Sequence, residues 1–150
     1  MSPARPDAER LAVWRSFLEA HAAITAQLGG ELQEQRAISL GWYEVLLRLS
    51  EAGGRMRMQE LASTLIVNKS SLTRQVDRLE EEGLVLRERA AQDGRGQYAV
   101  LTSKGRDALR RAAPVHLRGI QRHFAAHLTD SDVVALARAF AKLPGVTAKP

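Results

Sequence analysis

The 150-residue chain contains no cysteine, so a disulfide framework, thiol redox sensing and cysteine-ligated zinc are all excluded. It has no apolar run approaching the roughly 20 residues of a membrane helix. Its opening, MSPARPDAERLAVW, carries charges where a signal peptide requires an apolar core. A cytoplasmic protein with no membrane partner is expected. Catalytic signatures are missing as well: there is no Gly-x-Ser-x-Gly, no P-loop and no Gly-x-Gly-x-x-Gly after a strand, and the serines have no histidine beside them. Neither an enzyme nor a cofactor is expected.

What the chain does have is the size of one ordinary domain and an excess of positive charge. Its 22 lysines and arginines against 17 acids give a formal net charge of +5. That balance favours a polyanionic partner, although a solvated basic surface would produce the same count.

Apolar positions set the organisation. Leu11, Trp14, Phe17, Leu18, His21, Ile24, Leu28 and Leu32 recur at three- and four-residue steps, which predicts a long amphipathic helix that Gly29 and Gly30 would bend or fray. A second helix is predicted over Gly41 to Glu51, stopped by Gly53-Gly54. Two shorter helices follow, 58–65 and 69–82, with Asn68 as a candidate cap for the latter. Within 69–82, Leu72, Val76 and Leu79 must face a core, turning Ser71, Gln75 and Arg78 outwards with Ser70 and Arg74 beside them. The segments 84–90 and 97–102 read as two strands of a hairpin. Beyond Ser103 a helical pattern runs to about His127 with Pro114 inside it, where a proline should kink or split the helix. Thr129 or Asp130 then caps a last helix carrying Val133, Leu136, Ala137, Phe140 and Leu143.

Helix, short turn, helix and then a hairpin is the layout of a winged helix-turn-helix, whose second helix enters the major groove. The fold class expected is therefore mainly α with a small β-hairpin wing. At the hairpin tip, Asp93-Gly94 is a strong turn dipeptide and Arg95 is carried on a short arm. An arginine so placed suits a narrow minor groove, with Asp93 fixing its direction; a plain surface ion pair is the alternative.

The stretch from Leu61 to Gly105 closely resembles the multiple antibiotic resistance regulator (MarR) family of transcription factors. The resemblance lies in SSLTRQVDRLEEEGLV, in Asp93-x-Arg95-Gly96 and in Leu101-Thr102-x-x-Gly105. It implies a homodimer whose N-terminal helix (1–38) and C-terminal helices (104–150) form a dimerisation domain around a DNA-binding domain (39–103, wing 84–102). It also implies binding to a pseudo-palindromic operator in double-stranded DNA, more commonly as a repressor. On matching positions, Asn68, Lys69, Ser71 and Gln75 lie where the family meets base edges, and Ser70, Thr73, Arg74 and Arg78 where phosphates are met. Serine, threonine and arginine chemistry alone leaves that division open. A protein-binding adaptor on the same fold is the rival reading.

Family members commonly bind small phenolic or aromatic acids, so a small-molecule effector is expected. Trp14, Phe17, His21, Trp42, Tyr43 and His116 combine apolar bulk with a few polar tips and are candidate lining residues; core packing accounts for the same residues. His123 and His127, four apart on an expected helix, are weak candidates for a metal site in a metal-responsive regulator. No cysteine or acidic cluster accompanies them, so no metal is expected.

Overall fold

A computed structural model describes residues 5–66, 71–90 and 96–147. Two compact units make up the chain, Leu28–His116 and Met1–Gln27 with Leu117–Pro150. Helix α1 (Ala8–Glu34) runs through Gly29 and Gly30 without a break. A glycine inside a helix costs about 1 kcal/mol relative to alanine, but Leu28 before the pair and Leu32 after it are buried and hold this end in place.

The helix closes with the Ala37 N–H donating to the Leu32 carbonyl and the Arg36 N–H to that of Gln33. This is the Schellman pattern, and it puts Arg36 at φ 50°. Helices α2 (Leu40–Glu51) and α4 (Leu72–Glu81) end in the same pattern, with Gly53 at φ 82° and Gly83 at φ 71° in the equivalent place. A side chain there costs roughly 1–2 kcal/mol that glycine does not incur.

Ser39 caps α2 by accepting the Trp42 N–H at 3.2 Å. The Gly53-Gly54 turn then leads not directly into a helix but into a three-residue strand, β1 (Arg55–Arg57). The expected hairpin of β2 (Val85–Arg89) and β3 (Gln97–Leu101) is therefore part of a three-stranded antiparallel sheet in the order β1-β3-β2. Arg57 is opposite Tyr98, and Tyr98 is opposite Glu88. Three residues are too few to show a period of two, so β1 left no pattern in the sequence. Helix α3 (Met58–Thr64) occupies the first of the two short helical patterns.

The core of this unit is a single apolar cluster. Leu32, Val45, Leu46, Leu49, Leu61, Val76, Leu79 and Val85 are fully buried, joined by Ala108, Leu109 and Ala112 from α5 (Ser103–His123). Pro114 does not split α5; its missing N–H costs the Arg110 carbonyl a partner. The helix nonetheless stops four residues short of the expected end, because Phe124 leaves helical dihedrals (φ −134°, ψ −67°) before a 3-10 turn over Ala125–His127.

In the other unit, Thr129 and Asp132 form a reciprocal capping box at the start of α6 (Asp130–Phe140), and the Thr129 hydrogen bonds hold the Asp132 carboxyl below the usual carboxylate range. Leu143 lies beyond this helix, in a turn. Phe17 stacks at tilted angles on Trp14 and Phe140, with ring centroids 6.0 and 5.9 Å apart. Leu11, Val13, Trp14, Leu18, Leu117, Val133 and Val134 all remain largely exposed in the single chain.

Candidate nucleic-acid interface

Helix α4 buries Leu72, Val76 and Leu79, as their spacing requires, and leaves Thr73, Arg74 and Arg78 exposed. Asn68, Lys69 and Ser70, and Asp93 and Arg95 of the wing, lie outside the described residues. Ser71 and Gln75 depart from the outward placement expected of them and are half-buried. The Gln75 amide donates to the Ser71 hydroxyl at 3.0 Å, while its Oε1 is buried without a partner among the described residues. The cause is Gly41. The bare backbone at the start of α2 lets Gln75 lie so close that a Cβ there would stand 3.1 Å from Oε1. Its unsatisfied oxygen makes this seat a costly one for the amide.

Sequence reasoning missed Arg87. From β2 its guanidinium sits 2.6 Å from Asp77 Oδ1 and 3.1 Å from Glu80 Oε2 and donates to the Thr73 carbonyl at 3.2 Å; its backbone N–H donates to Glu80 Oε1 at 3.1 Å. Thr73, Asp77 and Glu80 are spaced i, i+4 and i+7, so one side chain grips two turns of α4. The acidic pair three apart on α4 was the available signal, but its partner lies in another element. Asp77 and Glu80 can be resolvated if the arginine is lost, so Arg87→Ala is expected to cost about 1–2 kcal/mol in stability. Its larger effect is on orientation: DNA affinity should fall about tenfold, whereas Arg87→Lys should recover only part of it. Titration of labelled DNA alongside thermal melts checks both.

The far end of α4 is tied to α5. Thr102 Oγ1 donates to the Gly83 carbonyl at 2.7 Å and accepts the Gly105 N–H at 3.0 Å, while Lys104 Nζ donates to the Glu82 carbonyl at 2.7 Å. Thr102 thus caps α5 and links it to the turn after α4. Strand β3 is braced by its neighbours: the Arg55 guanidinium lies 3.5 Å from the Tyr98 ring centroid and pairs with Glu88 at 3.2 Å, and Arg57 lies 5.1 Å from the same ring.

The six candidate ligand residues separate. Trp14 and Phe17 are neighbours in one unit, where His21 is exposed. In the other, the Tyr43 and His116 rings are 4.3 Å apart. Burial pushes the Tyr43 phenol up, assisted by the Glu51 carboxylate, and pushes the His116 imidazole down, which keeps both neutral near pH 7. Trp42 lines a separate cleft of about 490 Å³ with Arg36, Ser39, Arg78, Glu82, Arg111 and a few aliphatic side chains. His123 and His127 do not form the helical i, i+4 pair expected of them, since α5 ends at the first and the second closes the 3-10 turn. Among the described residues no three His, Asp or Glu side chains are grouped as metal ligands would be, and no helix is long and apolar enough to cross a membrane.

The sequence profile of the MarR family matches residues 38–96. Over 92% of its length the chain is similar to AbsC, a MarR family transcriptional regulator from Streptomyces coelicolor, at 37% identity and a TM-score of 0.81, covering 93% of that protein. It is likewise similar to Sco3205, a MarR family regulator from the same organism solved in complex with DNA, at 35% identity and a TM-score of 0.84, covering 93% of this chain and 88% of that one. An HTH-type transcriptional regulator of Bacillus subtilis, YkoM, is 34% identical over 79 residues, which are 53% of this chain and 51% of that relative, so the match spans about half of its length.

Proposed function

The chain belongs to the MarR family of DNA-binding transcriptional regulators, and from that premise we propose that it acts as a homodimer on a pseudo-palindromic operator, represses transcription there, and is released by a small aromatic or phenolic ligand. The observation that carries the reading is the fixing of α4: an apolar face sunk in the core, a polar and basic face left to solvent, and Arg87 and Thr102 holding its two ends. A helix held this way presents side chains to a major groove with little rotational freedom to lose on binding.

In this reading Asn68, Lys69, Ser71 and Gln75 meet base edges. Ser70, Thr73, Arg74 and Arg78 meet phosphates, and Arg95, directed by Asp93, enters the minor groove. The exposed apolar residues of the terminal unit supply the dimer contact. The release ligand contacts residues among Trp14, Phe17, His21, Trp42, Tyr43 and His116, where neutral Tyr43 and His116 can hydrogen-bond a phenol or a carboxyl without carrying charge.

Fluorescence anisotropy on DNA from upstream of the protein's own gene, against a scrambled duplex at several salt concentrations, tests the reading. Selective binding whose salt dependence corresponds to several phosphate contacts is expected. Equal, weak binding to both duplexes would instead point to a protein partner. Arg95→Ala should weaken operator binding roughly 10- to 100-fold with the melting temperature unchanged; undiminished affinity would remove the wing from the interface.

A further inference from the structure

Arg57 stands at the N-cap position of α3, where its side chain makes no capping hydrogen bond. Serine, threonine, asparagine or aspartate there would satisfy a free N–H of the first turn and stabilise the helix. An arginine kept against that local preference points to another use for its side chain. The side chain lies on the sheet instead. Arg57 is opposite Tyr98 in the ladder, with its guanidinium 5.1 Å from the Tyr98 ring centroid, and a Cβ on Gly96 would stand 3.6 Å from its Nη1. Its charge is therefore held at the root of the wing. Arg55, two residues back on the same face, lies 3.5 Å from the same ring but is paired with Glu88. No acid is paired with Arg57 among the described residues. The Arg57 guanidinium is thus restrained without being neutralised.

We propose that Arg57 contacts a DNA phosphate on the wall of the minor groove that Arg95 enters. The contact rests on the DNA-binding reading above. Gly96 follows Arg95 directly, at the Cα spacing of about 3.8 Å, so the two arginines work from neighbouring points of the wing. The minor groove is roughly 6 Å wide, with a phosphate backbone on each side. An arginine at the wing root meets that backbone while the one at the tip reaches inward. Tyr98 is the positioning residue: stacking limits the rotamers of Arg57 before DNA arrives, so less freedom is lost on contact. A phosphate contact strengthens binding to any sequence and adds no discrimination.

Anisotropy titrations on operator and scrambled duplexes at several salt concentrations, beside thermal melts, test the contact. Arg57→Ser should weaken binding to both duplexes by a similar factor, about five- to tenfold, and reduce the salt slope by about 0.9 for each subunit bound. It should melt at an equal or higher temperature, because serine caps α3. A purely structural Arg57 could not give that combination. Tyr98→Phe keeps the ring and should bind as wild type does, whereas Tyr98→Leu should lose affinity with the wild-type slope, since the charge remains. Neutral methylphosphonates placed singly along the groove walls then locate the contact: one of them should weaken wild type and leave Arg57→Ser unaffected. Wild-type affinity and slope in Arg57→Ser, or methylphosphonate effects identical in the two proteins, would overturn the contact. A loss confined to the operator would overturn its assignment to phosphate in favour of a base. Wild type that does not select the operator would overturn the DNA reading itself, an outcome seen before any variant is compared.

Discussion

Gly105→Ala is expected to lower the unfolding free energy by about 3 kcal/mol, which for a chain of this size is a fall in melting temperature of roughly 6–12 °C. Gly105 has no unusual backbone conformation to defend; the reason is proximity. A Cβ on it would fall well inside contact distance of the Leu84 carbonyl oxygen and stand 2.8 Å from Leu101 Cδ1. The oxygen is backbone, bonded to Thr102 N–H at 3.2 Å, so it cannot turn aside as a flexible side chain can. Relief requires α5 to lift from the sheet, and that strains both the Thr102 cap and the bond from Thr102 to Gly83. Gly30→Ala is the control, since a Cβ there meets nothing within 4 Å and helix propensity alone favours the change. Thermal melts of the two variants beside wild type make the comparison; an unmoved midpoint for Gly105→Ala would mean that α5 is not seated on the Leu84 carbonyl.

Leu117→Glu combined with Val134→Glu should convert the protein to a monomer and weaken operator binding at least 100-fold. Both side chains are mostly exposed in the single chain, 61% and 68%. Glutamates on a monomer's surface would alter stability by about half a kcal/mol at most. Placed in an apolar contact between two copies, four carboxylates per dimer lose their hydration and repel one another, at a cost of several kcal/mol. Separated subunits then meet half-sites independently, without the gain in effective concentration that linkage provides. Light scattering should report the halved mass, circular dichroism an intact helical content, and anisotropy the lost affinity. A variant that keeps twice the chain mass would place the dimer contact elsewhere.

The parts of the fold legible in the sequence were those where one short segment contains its own reason. Leu72, Val76 and Leu79 identify the buried face of α4 by spacing alone, Gly53 marks a helix end, and Thr129 marks a start. Leu101-Thr102-x-x-Gly105 is legible as a motif, while its physics lies in the packing: the hydroxyl caps a helix and binds a carbonyl 19 residues earlier, and the glycine makes room for another. What could not be read depends on two distant segments at once. Arg87 looks like an ordinary outward strand residue until Asp77 and Glu80 are brought beside it. Gln75 looks exposed until Gly41 lets it sink. The cleft arginines come from the end of α1, from α4 and from α5, and no local pattern unites them. The pairing of His123 with His127 failed for the opposite reason: a sound local pattern was cut by the backbone at Phe124.

Because Thr102, Lys104 and Gly105 clamp the first turn of α5 to the end of α4, any tilt of α4 becomes a tilt of α5. Its 21 residues make a rod about 31 Å long, so a swing at the clamped end is carried into about six turns of helix rather than staying local to the clamp. Pro114, which leaves the Arg110 carbonyl unpaired about halfway along, sets the compliance of that rod. Stiffening it with Pro114→Ala would transmit more of each swing, so the residue that looked like a flaw in a helix governs how faithfully a change at one end is felt at the other.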